Sequence, residues 1–291
     1  MKPTLGERAF SYLNTLLMIG LCIVTLYPFL YVLFASFSEA TSFLQNRGIL
    51  LGPAGFDLGA YRAVFSNPMI IKGYENTLLY VIVGTAINLV MTAIGAYVLS
   101  RPNLYFKHIL MFFIVVTMVF NGGLIPSYLL VNQLGMMNTM WALLIPGAIN
   151  TFNMIIMRTS FQGVPVSLEE SARMDGAGDW TILFRIVIPL SMPVIAVMIL
   201  WYAVGHWNSY FNALVYLRNS EKYPLQLVLR DILIANSTDS MMTSSASDDK
   251  YAIGETIKYA TIIVSTLPII CLYPFLQKYF VKGVMIGAIK G

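Results

Sequence analysis

Polar and charged residues in this chain are gathered into short segments, and between them run long stretches with no Asp, Glu, Lys or Arg: 9–38, 76–100, 108–157, 186–217 and 259–277. About twenty consecutive apolar residues let a helix cross the hydrocarbon core of a bilayer. Four of the stretches therefore predict one span each. The stretch 108–157 predicts two, because Asn132-Gln133-Leu134-Gly135 and Asn138-Thr139 read as a polar turn in its middle. The expected spans are 12–36, 76–100, 109–131, 140–157, 188–215 and 258–280, in one all-α polytopic membrane domain over 1–291. The first stretch follows Lys2 and Arg8 as a signal peptide would, but it is too long and lacks a small-x-small cleavage site, so it reads as an anchor.

Several spans carry helix breakers: Pro28, Asn121-Gly122-Gly123 with Pro126, Pro146, and Pro268 with Pro274. In lipid, freed backbone groups are tolerated only where neighbouring helices or a water-filled cavity satisfy them, so the breaks suggest a pathway through the bundle.

Composition agrees with the bilayer reading: 57% of the residues are hydrophobic and 11% charged, against about a quarter charged in soluble domains. Lys and Arg near span ends set orientation. With the N-terminus inside, the inner segments hold Lys2, Arg8, Arg101, Lys107, Arg158, Arg173, Arg185, Lys278, Lys282 and Lys290 and net +5, while the outer ones net −1. Both termini are expected in the cytoplasm of a bacterial cell, and the overall charge of +4 reflects this topology rather than a nucleic-acid partner. Cys22 and Cys271 fall inside spans and read as packing residues without a disulfide.

Two long outer loops are expected, 37–75 and 217–257. In the second, YPLQLVLRDILIAN reads as an amphipathic helix, either a docking surface for an extracellular partner or a cap on the bundle, and STDSMMTSSASDD as a flexible polar run.

The segment 159–187 departs from the rest of the chain. Between Glu169 and Arg185 six of seventeen residues are charged, and the thirty-two that follow carry no charge. Ser167 with Glu170 fits a capping box that starts a short helix. Glu169 and Arg173 stand one turn apart in the favourable order. Gly176 falls where a left-handed cap is needed, and Gly178-Asp179 begins a second short helix that ends near Pro189. The expected unit is a cytoplasmic helix-turn-helix whose small residues Ser171 and Ala172 suit close docking against another protein.

Glu170-Ser171-Ala172, then Gly176, then Ile186-Val187-Ile188-Pro189, resembles the EAA loop of ABC importer permeases, E-A-A-x3-G-x9-I-x-L-P, with Ser171 and Ile188 departing from it. The stretches FNGGLIPSYLLVNQLGMMNTMWALLIPGAIN, NMIIMRTSF and KYFVKGVMIGAIKG are similar to carbohydrate importer permeases of the maltose type, closest to those for complex and acidic oligosaccharides such as alginate. The resemblance implies the type I importer permease fold and an assembly with a second homologous permease, two ATPase subunits and an extracellular solute-binding protein. It also implies that Glu169, Glu170, Ser171, Ala172, Arg173, Asp175 and Gly176 engage the ATPase, and that the tail ending in Ile289, Lys290 and Gly291 reaches between the two ATPases. ATP and Mg would then sit on the partner, and this chain would bind no cofactor and no metal.

The chain has no Walker A pattern, no HExxH and no GxSxG, so it is expected to be no enzyme and to draw energy from elsewhere. The alternative is a stand-alone secondary carrier. Such carriers usually place ionisable residues within the membrane, and the expected spans hold almost none besides His206. At 1.5 Å per residue, His206 lies about 25 Å above Pro189. Aromatic rings stack on sugars and Asn or His pairs with hydroxyls, so Trp201, His206, Trp207, Asn208, Tyr210 and Asn212 form a candidate substrate pathway, with Asn121 and Asn150 as further members. An interfacial aromatic belt is the competing account of Trp207 and Tyr210.

Overall fold

The computed structural model describes residues 4–45, 48–234 and 253–271, and among them every regular element is a helix. In chain order these are α1 (Leu5–Ser36), α2 (Ala40–Gln45), α3 (Gly59–Ser66), α4 (Pro68–Ser100), α5 (Lys107–Val119), α6 (Leu124–Gln133), α7 (Trp141–Leu144), α8 (Thr151–Gln162), α9 (Val166–Met174) and α10 (Asp179–Ile182). A π-helical turn at Leu183–Val187 leads to α11 (Ile188–Leu190), α12 (Met192–Trp207) and α13 (Phe211–Tyr216). After a 3-10 turn at Ser220–Lys222 come α14 (Leu225–Ile234) and α15 (Ile253–Cys271).

Three helices, α1, α4 and α15, are each long and apolar enough to cross a membrane alone. α1 begins at a reciprocal cap: Glu7 N donates to Thr4 Oγ1 at 3.3 Å and Thr4 N donates to Glu7 Oε2 at 2.7 Å. It continues unbroken past Pro28. α4 starts on Pro68, whose fixed φ suits a first helical position. Cys22 and Cys271 are both free.

The other expected spans are interrupted where the backbone loses donors or gains freedom. In 109–131 the helix stops at Val119, crosses Asn121-Gly122-Gly123 with Gly123 at φ 80°, and resumes at Leu124 bent by 110°. In 140–157, α7 and α8 are separated by 145–150, which contains Pro146 and Gly147. The expected span 188–215 starts instead at a bend of 89° at Ser191 and stops at Trp207. Pro189 and Pro193 flank that bend, and each removes one N–H from the helical ladder. The ladder accommodates Pro189 with the wider π turn just before it, where Ile188 N donates to Leu183 O.

The described residues form two compact units, one drawn from 4–45, 48–70, 229–234 and 253–267, the other from 71–228 and 268–271. In the first, the expected outer loop 37–75 is folded. Tyr31, Phe43 and Tyr259 meet edge to face, Tyr27 hydroxyl accepts from Leu50 N at 3.1 Å, and Ser38 Oγ accepts from Ala54 N at 3.0 Å.

The second unit is built on α4, α8, α10 and α12, whose core includes Ala96, Met157, Phe161, Ile182, Val187 and Met198. One face of α4 carries buried Thr77, Thr85, Asn88, Thr92 and Ser100, spaced at helical intervals. In lipid the polar face of a helix turns toward its neighbours. Accordingly Thr77 Oγ1 accepts from Leu225 N at 2.8 Å, and the hydroxyls of Thr92 and Tyr202 lie 2.7 Å apart. Asn138 adopts a left-handed conformation at φ 57° because its side chain accepts from the backbone N–H groups of Arg218 (3.1 Å) and Asn219 (3.0 Å). In α14, Leu225, Leu227 and Val228 are buried, so the amphipathic helix caps the bundle and its apolar face is not free for docking. The run 237–249 lies outside the described residues.

Candidate functional site

The helix-turn-helix expected from the sequence is present, with a different internal wiring. α9 begins at Val166, two residues earlier than a Ser167 cap would place it, because Pro165 occupies the cap position with an extended ψ of 128°. Ser167 is then already inside the first turn, and the capping box with Glu170 does not form. Gly176 takes the left-handed conformation at φ 82°, closing the helix through Ala177 N to Ala172 O at 2.9 Å. Asp179 is the first residue of α10 rather than its cap, which is Gly178.

The expected pairing of Glu169 with Arg173 is replaced by two others. Arg173 pairs with Asp179 across the Gly176 turn, while Glu169, 5% exposed, turns inward to pair with Arg101 at the end of α4. Arg101 is held by three further groups: Nε and Nη2 donate to Ser100 Oγ at 3.0 and 2.8 Å, Nη2 reaches Phe161 O at 3.5 Å, and the guanidinium lies 4.6 Å from the centre of the Tyr97 ring. Burial pulls the Arg101 guanidinium down from its ordinary value, the direction desolvation drives a cation. Arg158 Nε donates to Leu99 O and Lys107 Nζ to Arg101 O, each at 2.9 Å, so cations gather on the negative end of the α4 dipole. Beside them a cavity of about 430 Å³ opens between Tyr97, Leu104, Trp180 and Leu183.

Of the expected coupling residues, Glu169 and Ala172 face the bundle, and Glu170, Ser171, Arg173, Asp175 and Gly176 face outward. Apolar side chains stand outward with them: Met174 is 88% exposed, Trp180 63%, and Val166 and Leu168 are also exposed. A polar segment that leaves such side chains uncovered has the character of an interaction surface. Ile289, Lys290 and Gly291 lie outside the described residues.

The second group of candidates divides. His206 sits about 21 Å up the α12 axis from Met192. Its Nε2 stands 2.6 Å from Asn88 Oδ1, and Asn88 Nδ2 donates to Gly147 O at 2.7 Å and Ala148 O at 3.0 Å. Because the amide donors of Asn88 are directed at those carbonyls, Oδ1 is the acceptor and His206 Nε2 carries the proton. The imidazole lies against Gly84, where a Cβ would come within 2.5 Å of Nε2. Trp201 stacks on Phe152 in α8, with centroids 5.9 Å apart. Trp201 and His206 thus converge on the break between α7 and α8. Trp207 is buried and meets Tyr74 edge-on, whereas Asn208, Tyr210 and Asn212 are exposed. Asn150 caps α8 by accepting from Asn153 N at 3.0 Å, and Asn121 accepts from Gly123 N at 3.1 Å.

Sequence reasoning passed over Arg101, Asn88 and Gly84. Asn88 carried a signal, as a strongly polar residue on a Thr-rich stripe within an uncharged span. Arg101 resembled an ordinary topology-setting cation, and only the fold shows what it faces. Among the described residues no group of His, Cys, Asp and Glu is arranged to hold a metal.

Comparison with known proteins agrees with these features. Residues 88–286 match the family described as binding-protein-dependent transport system inner membrane component. The chain is 41% identical to the polygalacturonan/rhamnogalacturonan transport system permease protein YtcP of Bacillus subtilis (strain 168), over 98% of this chain and 99% of that one. It is also 41% identical to Protein LplC of the same organism, over 100% and 98%. Among solved structures it is similar to a chain of a bacterial ABC transporter involved in the import of the acidic polysaccharide alginate, with a TM-score of 0.87, 34% identity, and coverage of 96% and 99%.

Proposed function

Because the chain belongs to the family of binding-protein-dependent transport system inner membrane components, we propose that it is the translocation subunit of an ATP-driven importer of oligosaccharides, driven through α9 and α10 by a separate ATPase. The observation that carries the reading is the exposed face of that helix pair. Met174 and Trp180 stand out beside Glu170 and Arg173, and the pair continues through the π turn and α11 to the bend at which α12 begins. An element so placed can pass a partner's movement to the membrane helices, whereas a chain working alone has no use for it. Both termini and this helix pair then lie in the cytoplasm. ATP and Mg belong to the ATPase pair, and this chain contributes no catalytic group and binds no cofactor.

The breaks at 120–123 and 145–150 support a pathway. Most of their residues are exposed in the isolated chain, and backbone stripped of helical partners is not tolerated against lipid. A second permease and the water-filled path between the two subunits would cover both breaks. Trp201, His206 and the break at 145–150 supply an aromatic face and hydrogen-bonding groups, which suit a polyhydroxylated ligand delivered by an extracellular binding protein.

Purification of the tagged chain from its native membrane tests the reading. The ATPase, the second permease and the binding protein should copurify, and ATP hydrolysis should rise with uronic-acid or neutral oligosaccharides in the presence of the binding protein. Substrate uptake by the chain alone on an ion gradient, without ATP, would instead establish the carrier.

A further inference from the structure

We propose that Arg101 and Glu169 form a strut through which movement of α9 is delivered to α4, and along α4 to the break between α7 and α8. The proposal rests on α9 being the coupling element. By its covalent path α9 is joined only to α8 on one side and, through α10 and α11, to α12 on the other; α4 lies two predicted spans earlier in the chain. The side chains supply the missing link.

Packing alone would hold α9 against α4, as it does at Ala172, which packs on the core of this unit. Placing a carboxylate at 169 instead carries a desolvation cost that apolar side chains avoid, so stability does not explain the choice. What an ion pair adds is register, because a planar guanidinium engaged on several sides accepts its carboxylate in one geometry. Arg101 is engaged in that way, by Ser100 Oγ, by Phe161 O and by the Tyr97 ring. The end of α4 that bears it is also tied by Arg158 from α8 and Lys107 from α5. A push on Glu169 therefore meets a braced helix end and not a loose side chain.

The far end of the path is equally defined. Asn88 lies thirteen residues before Arg101 on the same helix, about 20 Å away along the axis. It holds the carbonyls of Gly147 and Ala148 and is itself held by His206. Displacing α4 along its axis loads the hydrogen bonds that keep the break in its present conformation. Arg101 and Glu169 are positioning residues, since neither touches the transported ligand or the nucleotide.

The test uses the complete transporter in proteoliposomes and reads substrate molecules imported per ATP hydrolysed, a ratio that lower stability or yield alone does not move. Glu169→Gln and Arg101→Gln should each lower it at least about fivefold, the small end of typical coupling between sites. The swap R101E/E169R should recover most of the loss. Wild-type ratios in the single variants, or a swap no better than they are, would overturn the strut.

Should the variants fail to assemble, spin labels at Val98 and Leu168, with Cys22 and Cys271 replaced by Ser, decide the matter in otherwise wild-type protein. Their separation should stay constant between nucleotide-free and vanadate-trapped states, and a change approaching one helical turn, about 5 Å, would overturn the proposal. A wild-type preparation with no copurifying ATPase would overturn the coupling reading itself, and the strut with it.

Discussion

His206 Nε2 donates to Asn88 Oδ1 at 2.6 Å, and its imidazole lies against the backbone of Gly84, so the seam between α4 and α12 closes over a residue with no side chain. The contact joins the one histidine of α12 to the backbone break between α7 and α8.

Gly84→Ala is the direct probe of that seam. The added Cβ would meet Nε2 at 2.5 Å and Cε1 at 2.7 Å, and overpacking of this kind costs about 1–3 kcal/mol. Gly205→Ala, one residue from His206, adds a Cβ with nothing within 4 Å. Thermal unfolding in detergent should show a clear loss of stability for Gly84→Ala and little change for Gly205→Ala; equal effects would refute the geometry.

Asn88→Leu keeps the branching of the side chain at Cγ and removes its amide. The carbonyls of Gly147 and Ala148 lose their donor, at about 0.5–1.5 kcal/mol for each hydrogen bond removed. Hydrogen exchange followed by mass spectrometry should accelerate at 145–150 and remain unchanged in α1.

Neighbouring glutamates are expected to behave oppositely. Glu170 is exposed, so Glu170→Lys should leave stability within about 0.5 kcal/mol while reducing the amount of copurifying ATPase. Glu169→Ala strands the Arg101 guanidinium in a partly buried site, and removing one member of such a pair costs about 3–5 kcal/mol. Unfolding curves for both, set against ATPase recovered per permease, separate the two faces of α9.

Gly176 offers a graded series. Its φ of 82° disfavours side chains, yet no atom lies within 4 Å of the position a Cβ would take. The penalty is therefore conformational, about 1–2 kcal/mol for an ordinary residue and least for Asn. ATP-coupled uptake should fall in the order Gly, Asn, Ala, Val; a bulky residue tolerated as well as Asn would show that the turn does not need its left-handed backbone.

Reading the chain from residue patterns succeeded where a single physical effect dominates. Apolar length without charge located α1, α4 and α15, and Asn121-Gly122-Gly123 marked the break before α6, because glycine and an Asx turn release a helix whatever surrounds it. The capping pattern was ambiguous: Thr4 with Glu7 forms the reciprocal cap, whereas Ser167 with Glu170 does not, since Pro165 caps α9 two residues earlier. The bend at Ser191 had a sequence sign in Pro189 and Pro193, but proline is common enough in membrane helices that its effect depends on neighbours. Partners distant in sequence, Glu169 with Arg101 and His206 with Asn88, were not legible at all. A charge or an amide announces that it needs a partner without saying which one the fold will bring.

Cross-linking from Met174 tests the central claim most directly, because this side chain is 88% exposed at the tip of α9. A Met174→Cys variant, in a background lacking Cys22 and Cys271 and carrying a photoreactive thiol reagent, is activated in native membranes and its adducts are identified by mass spectrometry. The account predicts one dominant adduct with an ATPase subunit, changing in yield when ATP is bound. Adducts with lipid alone, or with a protein on the outer face of the membrane, would contradict it.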